Sequence, residues 1–284
     1  MKIYQLVIVG LIMTLLPSCE ETIIEIPPIS NECSDKVLLI EELSGVSCPN
    51  CPKGTTALNE ILAIFPGKVV AYAIHGDFLA EPKSGSKYDF RTSEGAAQEQ
   101  FLEPWRGKPA AAIDRFKFTQ FDQDPDGTIT STRFDSWLSL VEDRCQTPQS
   151  LNLIIESDYD MESRTSTIVV TATGVLPLPG ELRMNVVISE SHLIDLQDAG
   201  PDGIIEDYEH NHIMKERLSE LTGDFFINDL SIDQTISKTY SYTVPDEVAG
   251  EWIPENMEIT AFVTEGGQQR GVVLQAAQEQ LVQP

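Results

Sequence analysis

The chain has 284 residues, of which 41% are hydrophobic, and a formal net charge of −26. A protein this acidic lacks the basic surface that binds phosphate backbones, so we exclude a nucleic acid partner. Anionic lipid surfaces also repel such a chain, so we expect any membrane partner to be held through a covalent lipid.

Residues 1–18 have the features of a signal peptide. Lys2 precedes an apolar run at 6–16, and a run of this length fits a signal peptide but is too short to span a bilayer. The run leads into Leu-Pro-Ser-Cys, which resembles the lipobox of bacterial lipoproteins, although Pro17 replaces the usual small residue. The resemblance implies cleavage before Cys19, a diacylglycerol on its sulfur and an acyl group such as palmitate on the new amine. Ordinary secretory cleavage is the alternative.

Residues 19–35 are predicted to form a lipidated tether, because they contain Pro27 and Pro28 and show no periodicity. Glu20 and Glu21 directly follow the anchor cysteine. They resemble the export signal of some Bacteroidetes lipoproteins. The expected location is therefore the outer membrane of the cell envelope, with exposure at the cell surface.

Residues 36–147 are predicted to form an α/β domain. Apolar runs at 36–40 and 69–74 indicate buried strands, and the apolar spacing within 48–65 indicates a helix between them. A crossover this short predicts a parallel βαβ unit. The remaining predicted elements are helices at 94–102 and 131–145 and an antiparallel strand pair at 110–113 and 117–121.

Residues 148–284 are predicted to form an all-β, immunoglobulin-like sandwich, because alternating β-rich runs are separated by turn residues. The six expected strands are 151–155, 167–173, 182–189, 239–244, 259–263 and 271–274. An acidic insertion near 195–233 interrupts them, and we expect it to hold a short helix at Ile213–Leu221.

Four cysteines remain once Cys19 is assigned to the lipid. Cys48 and Cys51 form a C-x-x-C motif where a strand meets a helix, and the helix dipole there stabilises a thiolate on Cys48. Zinc would need two further ligands at matching spacing, and the sequence has no second pair. A purely structural disulfide is the alternative.

The other two cysteines, Cys33 and Cys145, are then left over in an oxidising compartment. We predict that they form a structural disulfide across the α/β domain. Two free thiols are the alternative.

Two further features suggest a family. Glu42 lies six residues before Cys48, and the segment Arg-Gly-Lys-Pro ends at Pro109 before an apolar run. Over residues 36–145 the chain therefore resembles the thioredoxin superfamily. The resemblance implies that Glu42 accepts a proton from Cys51 and that Pro109 is cis and packs against the motif. Ser47 departs from the tryptophan common before the first cysteine.

A narrower resemblance covers more of the chain. The lipobox, the segment 41–45 leading into 48–52, and the Tyr-Glu-His-Asn-His-Ile segment at 208–213 resemble a family of Bacteroidetes outer-membrane lipoproteins. That family is named for a twenty-eight-kilodalton outer-membrane protein. The resemblance implies a thioredoxin-like domain joined to a β-sandwich.

Two functions fit this sequence. In the first, the protein is a thiol–disulfide oxidoreductase with a redox-active centre at Cys48 and Cys51, and its partner is a protein thiol or disulfide. In the second, it is a cell-surface binding or assembly module whose thioredoxin-like fold is a non-catalytic scaffold. Exposure of Cys48 beside an open groove favours the first function, and burial of Cys48 beneath the sandwich favours the second.

Metal binding has weaker support. Asp122, Asp124 and Asp126 resemble the start of a calcium loop, but Arg133 stands where the bidentate glutamate belongs. We therefore predict an acidic surface turn and no cofactor, with Ca²⁺ as the alternative.

The histidines are a second possible metal site. His210 and His212 would share one face of a strand, but no third ligand is identifiable, so we expect structural histidines. His75 ends a strand near the C-x-x-C and is expected to be a structural loop residue as well.

Overall fold

A nine-stranded mixed sheet organises the fold within the part of the chain that the structure describes. The computed structural model describes residues 33–118, 128–267 and 270–283. The strands are β1 (Leu38–Leu43), β2 (Val69–Ile74), β3 (Ala110–Ile113), β4 (Thr130–Ser131), β5 (Leu151–Asp160), β6 (Thr165–Gly174), β7 (Leu178–Glu190), β8 (Leu193–Asp198), β9 (Ile204–His210), β10 (Ile213–Arg217), β11 (Asp224–Leu230), β12 (Thr235–Thr243), β13 (Met257–Glu265) and β14 (Val273–Gln280). The α-helices are α1 (Cys51–Ile64), α2 (Ser93–Phe101) and α3 (Trp137–Arg144), and 3₁₀ turns lie at Phe134–Ser136, Gly200–Asp202 and Pro254–Asn256.

The predicted βαβ unit is present at the centre of the large sheet. β1 pairs in parallel with β2, and α1 connects the two strands. Every residue of both strands is buried, because α1 and α3 cover one face and α2 covers the other. This two-sided burial explains why both strands are apolar runs rather than alternating patterns. The side chains of Leu58 and Ile61 anchor α1, each contributing about 1.5–3 kcal/mol through burial.

The same sheet continues into the second half of the chain. Its strand order is β14-β13-β7-β10-β2-β1-β3-β4, with β11 also paired to β7. β10 joins the two regions, because Ile213 pairs in parallel with Ala73 of β2 on one side, and β10 pairs antiparallel with β7 on the other. The described residues accordingly belong to one compact unit. The division into two domains at residue 147 remains a prediction.

A second, antiparallel sheet has the order β12-β6-β5. Its inward residues, such as Ile155 and Ile168, share one apolar cluster with Met184 of β7 and Ile259 of β13. The two sheets therefore pack face to face, and the alternating burial of β5 and β6 follows from having one face in this core. None of the helices in the described ranges has the length and apolar character that crossing a membrane requires.

Several predicted elements differ from the structure. The expected helix at Ile213–Leu221 is wrong: this segment contains strand β10, because pairing with β2 and β7 outweighs the local helical spacing. The acidic insertion supplies four strands, β8 to β11, rather than interrupting the sheet. The expected pairing of 110–113 with 117–121 is also not found, since β3 pairs with β4 instead and residues 119–121 lie outside the described ranges.

Candidate functional site

The candidate site lies where β1 leads into α1. Cys48 and Cys51 form a disulfide with their Cα atoms 5.3 Å apart. Backbone hydrogen bonds from Cys48 to the Gly45 carbonyl, at 3.1 Å, and from Cys51 to the Cys48 carbonyl, at 3.2 Å, shape the connecting turn. Cys51 is the first residue of the helix, so the pair lies at the positive end of the helix dipole. Both side chains are buried, with relative exposures of 0% for Cys48 and 1% for Cys51.

Glu42 lies near the end of β1, with its carboxyl beside Gly54 of α1. It is buried, and its Oε1 atom has no hydrogen-bond partner among the described residues. Burial raises the pKa of the Glu42 carboxyl to about 7, while the positive charge of His212, a hydrogen bond with Thr55 and the charge of Lys108 oppose that rise. A carboxyl with this pKa can take up and release a proton near neutral pH.

Gly54 brings α1, Pro109 and Glu42 together. A Cβ atom added to Gly54 would lie 2.6 Å from Cβ of Pro109 and 3.3 Å from Oε1 of Glu42, so only glycine allows this approach. The Lys108–Pro109 peptide bond is cis. Since Gly54 lies three residues after Cys51, both face the same side of α1. The structure thus brings Glu42 and Pro109 together at Gly54, one turn into the helix that begins at Cys51.

A hairpin from the acidic insertion covers the motif. Gln197 of β8 donates through Nε2 to the carbonyl oxygens of Gly45, at 3.2 Å, and Cys48, at 3.1 Å. The Asp198 amide donates to the Val46 carbonyl at 2.9 Å. Just beyond, a Cβ atom on Gly200 would lie 3.0 Å from Cβ of Pro49. The β8–β9 hairpin therefore lies directly over the loop that carries Cys48.

Sequence reasoning missed this cover, although a signal was present. The Pro-Asp-Gly turn at 201–203 separates the apolar residues Leu193, Ile194 and Leu196 from Ile204 and Ile205, which begin β9. Short segments with β-branched and apolar residues that are joined by such turn residues are typical of a β-hairpin. What the sequence could not reveal is where the hairpin packs, since that depends on the long-range contacts of Gln197 and Asp198.

Aromatic and histidine side chains line the same region. A hydrogen bond between Tyr208 and Thr55 links β9 to α1. The rings of His75 and His210 lie 6.0 Å apart, and both contact Phe90. Burial lowers the pKa of His210 to about 4 and also lowers the pKa of His75, so both rings are neutral at pH 7.

His210 and His212 do not form the metal pair that a continuous strand would have created. His210 ends β9 in a buried position and its Nε2 lies 3.2 Å from the Leu196 carbonyl. His212 follows the strand with a left-handed φ of 58°, and its Nδ1 lies 2.9 Å from Oε2 of Glu258. Within the described ranges no three His, Cys, Asp or Glu side chains are arranged to hold a metal.

Other predicted site residues lie elsewhere. Cys33 and Cys145 form a disulfide with their Cα atoms 4.8 Å apart, and the Ser34 amide donates to the Cys145 carbonyl beside it. Asp122, Asp124 and Asp126 of the predicted calcium loop fall outside the described residues, and so does Cys19.

The opposite face of the sheet carries a buried ionic network that sequence reasoning also missed. Glu41 accepts hydrogen bonds from Tyr72 at 2.5 Å, Gln98 at 2.7 Å and Arg115 at 2.7 and 2.8 Å. Burial alone would raise the pKa of the Glu41 carboxyl, but the charge and hydrogen bonds of Arg115 hold it below its usual value. The side chains of Glu41 and Arg115 are 0% and 1% exposed. The network is separate from Glu42, because successive residues of a strand face opposite sides.

Comparisons with known proteins bear on the fold and the family. Residues 99–283 match the family model described as outer membrane protein Omp28. HBP35 of Porphyromonas gingivalis has a similar structure, with a TM-score of 0.61 and 14% identity over 87% of this chain and 76% of that one. A protein of Agrobacterium tumefaciens is similar with a TM-score of 0.53 and 10% identity, over 89% of this chain and 97% of that one. A domain of the Omp28 lipoprotein of P. gingivalis aligns with 46% of this chain and 88% of its own length, at 16% identity and a TM-score of 0.32. No curated protein matched the sequence.

Proposed function

The chain belongs to the Omp28 family of outer membrane proteins, and from this premise we propose that it is a binding or assembly module at the cell surface. The family prediction and the outer-membrane location made from the sequence are confirmed. In this proposal the region around the C-x-x-C motif is a non-catalytic scaffold, and the Cys48–Cys51 disulfide stabilises it.

The burial of Cys48 carries the proposal. Disulfide exchange requires a partner sulfur to approach the attacking sulfur directly. Cys48 has no exposed surface, and Gln197 holds the β8–β9 hairpin over its loop through hydrogen bonds. A partner polypeptide would have to displace the hairpin, and the buried amide of Gln197 would then lose its carbonyl partners. Removing such bonds from a buried group has a free-energy cost.

Finer features of the architecture belong to the same proposal. We propose a thioredoxin-like arrangement for 36–147, supported by the parallel βαβ unit and the contact of Gly54 with Pro109. We propose an immunoglobulin-like sandwich for 148–284, supported by the two sheets that share one core. The lipid anchor on Cys19, with palmitate among its acyl groups, completes the proposal.

The test is a redox titration of the Cys48–Cys51 pair combined with an insulin-reduction assay. The module hypothesis predicts no catalysed insulin reduction and slow reduction of the pair by dithiothreitol in the folded protein. Unfolding in urea should make both disulfides reducible within minutes, which controls for the reagents. Catalysed turnover, with the pair cycling between thiol and disulfide, would contradict the hypothesis.

The state of Glu42 favours thiol–disulfide exchange as the second candidate. A buried carboxyl with a pKa of about 7 beside a C-x-x-C can accept a proton from Cys51. In that reaction the Cys48 thiolate attacks a partner disulfide, forming a mixed disulfide and releasing one partner thiolate. Cys51, losing its proton to Glu42, then attacks the Cys48 sulfur and releases the second partner thiolate. The partner is reduced, the Cys48–Cys51 pair is oxidised, and an external dithiol must reduce the pair again.

The two candidate functions predict different effects of Glu42→Gln on insulin reduction. If the protein is an oxidoreductase, the variant should slow insulin reduction most at neutral pH, because Cys51 loses its proton acceptor. If it is a module, neither the parent nor the variant turns over insulin.

A further inference from the structure

One end of the molecule carries three exposed aliphatic side chains on two neighbouring turns. Val175 and Leu176 follow β6 and are 37% and 44% exposed, and Ile232 lies between β11 and β12 and is 54% exposed. We call these three residues the apolar tip. Single exposed aliphatic residues are ordinary, but a group on adjacent turns indicates an interaction surface.

Backbone contacts hold the two turns together. The Asp233 amide donates to the Gly174 carbonyl at 2.9 Å, and the Gly174 amide donates to the Gln234 carbonyl at 3.0 Å. A Cβ atom on Gly174 would lie only 2.1 Å from the carbonyl oxygen of Ser231, so this glycine permits the close approach. The apolar tip is therefore one preformed surface rather than two independent loops.

This surface lies near the place where the N-terminal segment joins the described fold. The Ser150 carbonyl accepts hydrogen bonds from the amides of Val175 and Leu176, each at 2.9 Å. Three residues earlier, the Thr147 carbonyl accepts a hydrogen bond from the Ser34 hydroxyl, beside the Cys33–Cys145 disulfide. Three residues of chain span at most about 11 Å, so the apolar tip lies close to the residues that follow the tether.

The end of the molecule that carries the apolar tip has fewer acidic residues than the opposite end. Segments 149–152, 174–180 and 231–235 contain one charged residue, Asp233, and the Asp229 carboxylate lies beside them, accepting a hydrogen bond from the Gly180 amide at 2.7 Å. The opposite end also exposes aliphatic side chains, Met161 at 79% and Val248 at 61%. There, however, acidic residues flank them in the sequence, namely Asp160, Glu162, Asp246, Glu247 and Glu251. Anionic lipid would repel that end far more strongly than it repels the apolar tip.

We propose that the apolar tip inserts into the headgroup region of the membrane that carries the Cys19 lipid. A bilayer is the occupant that the observations favour, because the surface is apolar, carries fewer acidic residues than the opposite end and lies close to Cys33 and Ser34, the first described residues after Cys19. The apolar tip adds a second, weaker membrane contact to the covalent lipid. A single contact leaves the protein free to rotate on the membrane, whereas two contacts fix its orientation. This inference depends on outer-membrane anchoring and not on whether Cys48 and Cys51 exchange disulfides.

The first experiment measures amide hydrogen exchange of the full lipidated protein on vesicles of phosphatidylethanolamine and phosphatidylglycerol. Exchange at 174–178 and 231–235 should be slower in the parent than in a V175S/L176S/I232S variant on the same vesicles. Exchange at 160–164 should be equal in the two proteins. A control variant, M161S/V248S, removes apolar surface from the opposite end and should keep the parent's protection at the tip.

The second experiment measures sedimentation of the full-length C19A protein with sucrose-loaded vesicles of the same composition. Serine at the three tip positions should weaken the remaining binding about tenfold or more. The variant no longer has the three aliphatic side chains whose transfer from water into the bilayer favours binding. M161S/V248S should bind like the C19A parent. Equal binding by all three proteins, or protection at 160–164 instead of the tip, would overturn the proposal. Tip protection without vesicles, together with a dimer in analytical ultracentrifugation, would assign the surface to a second copy and also overturn it.

Discussion

The hydrogen bonds of Gln197 offer a direct way to test whether the hairpin protects the disulfide. Its side chain is 2% exposed, and its Nε2 atom donates to the carbonyls of Gly45, Cys48 and Asp198 at 3.2, 3.1 and 3.0 Å. Two of these acceptors belong to the loop that carries the C-x-x-C motif. We predict that Gln197→Ala speeds reduction of Cys48–Cys51 in the folded protein, because the cover then opens more often.

The expected magnitude follows from the two hydrogen bonds that the Gln197 side chain makes from the hairpin to the loop. A typical buried hydrogen bond contributes about 0.5–1.5 kcal/mol, so their loss weakens closure by about 1–3 kcal/mol. Because 1.4 kcal/mol is a tenfold change in an equilibrium constant, the open fraction should rise about five- to a hundredfold. When reclosing is faster than reaction, the rate of attack on a protected site follows that open fraction.

The assay is reduction by dithiothreitol without denaturant, with alkylation and mass spectrometry at successive times. Gln278→Ala is the matched control, because its Nε2 also donates two hydrogen bonds, to the Ala71 carbonyl at 3.1 Å and to Thr260 Oγ1 at 2.9 Å, away from the motif. Urea unfolding of both variants separates local opening from global destabilisation. If the two variants reduce at the same rate once global stability is matched, the hairpin does not protect Cys48.

Three further changes should have distinct effects. Replacing both Cys33 and Cys145 by alanine opens a loop with a sequence separation of 112 residues; urea unfolding should show a loss of up to about 4.7 kcal/mol, and an unchanged midpoint would contradict a stabilising role. Cys19→Ala should move the protein from the membrane to the soluble fraction, and globomycin should block processing of the parent; full membrane retention of the variant would argue against the lipobox. Glu41→Gln removes the buried charge partner of Arg115 and should cost about 3–5 kcal/mol in urea unfolding, whereas Asp35→Asn at the exposed pair with Lys68 should change stability by less than about 1 kcal/mol.

The central βαβ unit could be predicted from the sequence because its strands and helix each have a hydrophobic pattern within a short segment. Two apolar runs flank a helical spacing, and a helix between two buried strands is the usual crossover of a parallel pair. The resemblance to the thioredoxin superfamily is what grouped four residues into one predicted site, namely Cys48, Cys51, Glu42 and Pro109. The contact that joins them depends on Gly54, whose missing side chain has no periodic signal of its own.

The acidic insertion shows where such patterns fail. Ile213 and Met214 fit a helical spacing, but their backbone pairs with β7 and β2, strands that lie far away in sequence. Strand formation depends on such neighbours more than helix formation does. The cover over Cys48 was missed for the same reason, since the acceptors of Gln197 lie about 150 residues earlier. Likewise, no spacing rule connects Glu41 to Arg115.

The Glu42 carboxyl should make the stability of the protein depend on pH in a predictable direction. Its pKa is about 7 in the folded protein and 4.5 in an unperturbed glutamate. Between these values the folded protein holds a proton that the unfolded chain has released, so the free energy of unfolding falls as pH rises. A difference of about 2.5 pKa units corresponds to about 3 kcal/mol, which is fully expressed only above pH 7. We predict that Glu42→Gln, which cannot ionise, removes this loss.

Urea unfolding at pH 5 and pH 8 tests the sign as well as the size. The variant should be more stable than the parent at pH 8, and its advantage should be about 2 kcal/mol greater there than at pH 5. Glu60→Gln, at an exposed position on the same helix, is the control, and its stability should stay close to the parent's at both pH values. If Glu42→Gln instead destabilises the protein at pH 8, the folded state needs a charged carboxylate. That result would mean that His212 and Lys108 stabilise the Glu42 charge more than burial disfavours it, and that the carboxyl cannot accept a proton from Cys51 near neutral pH.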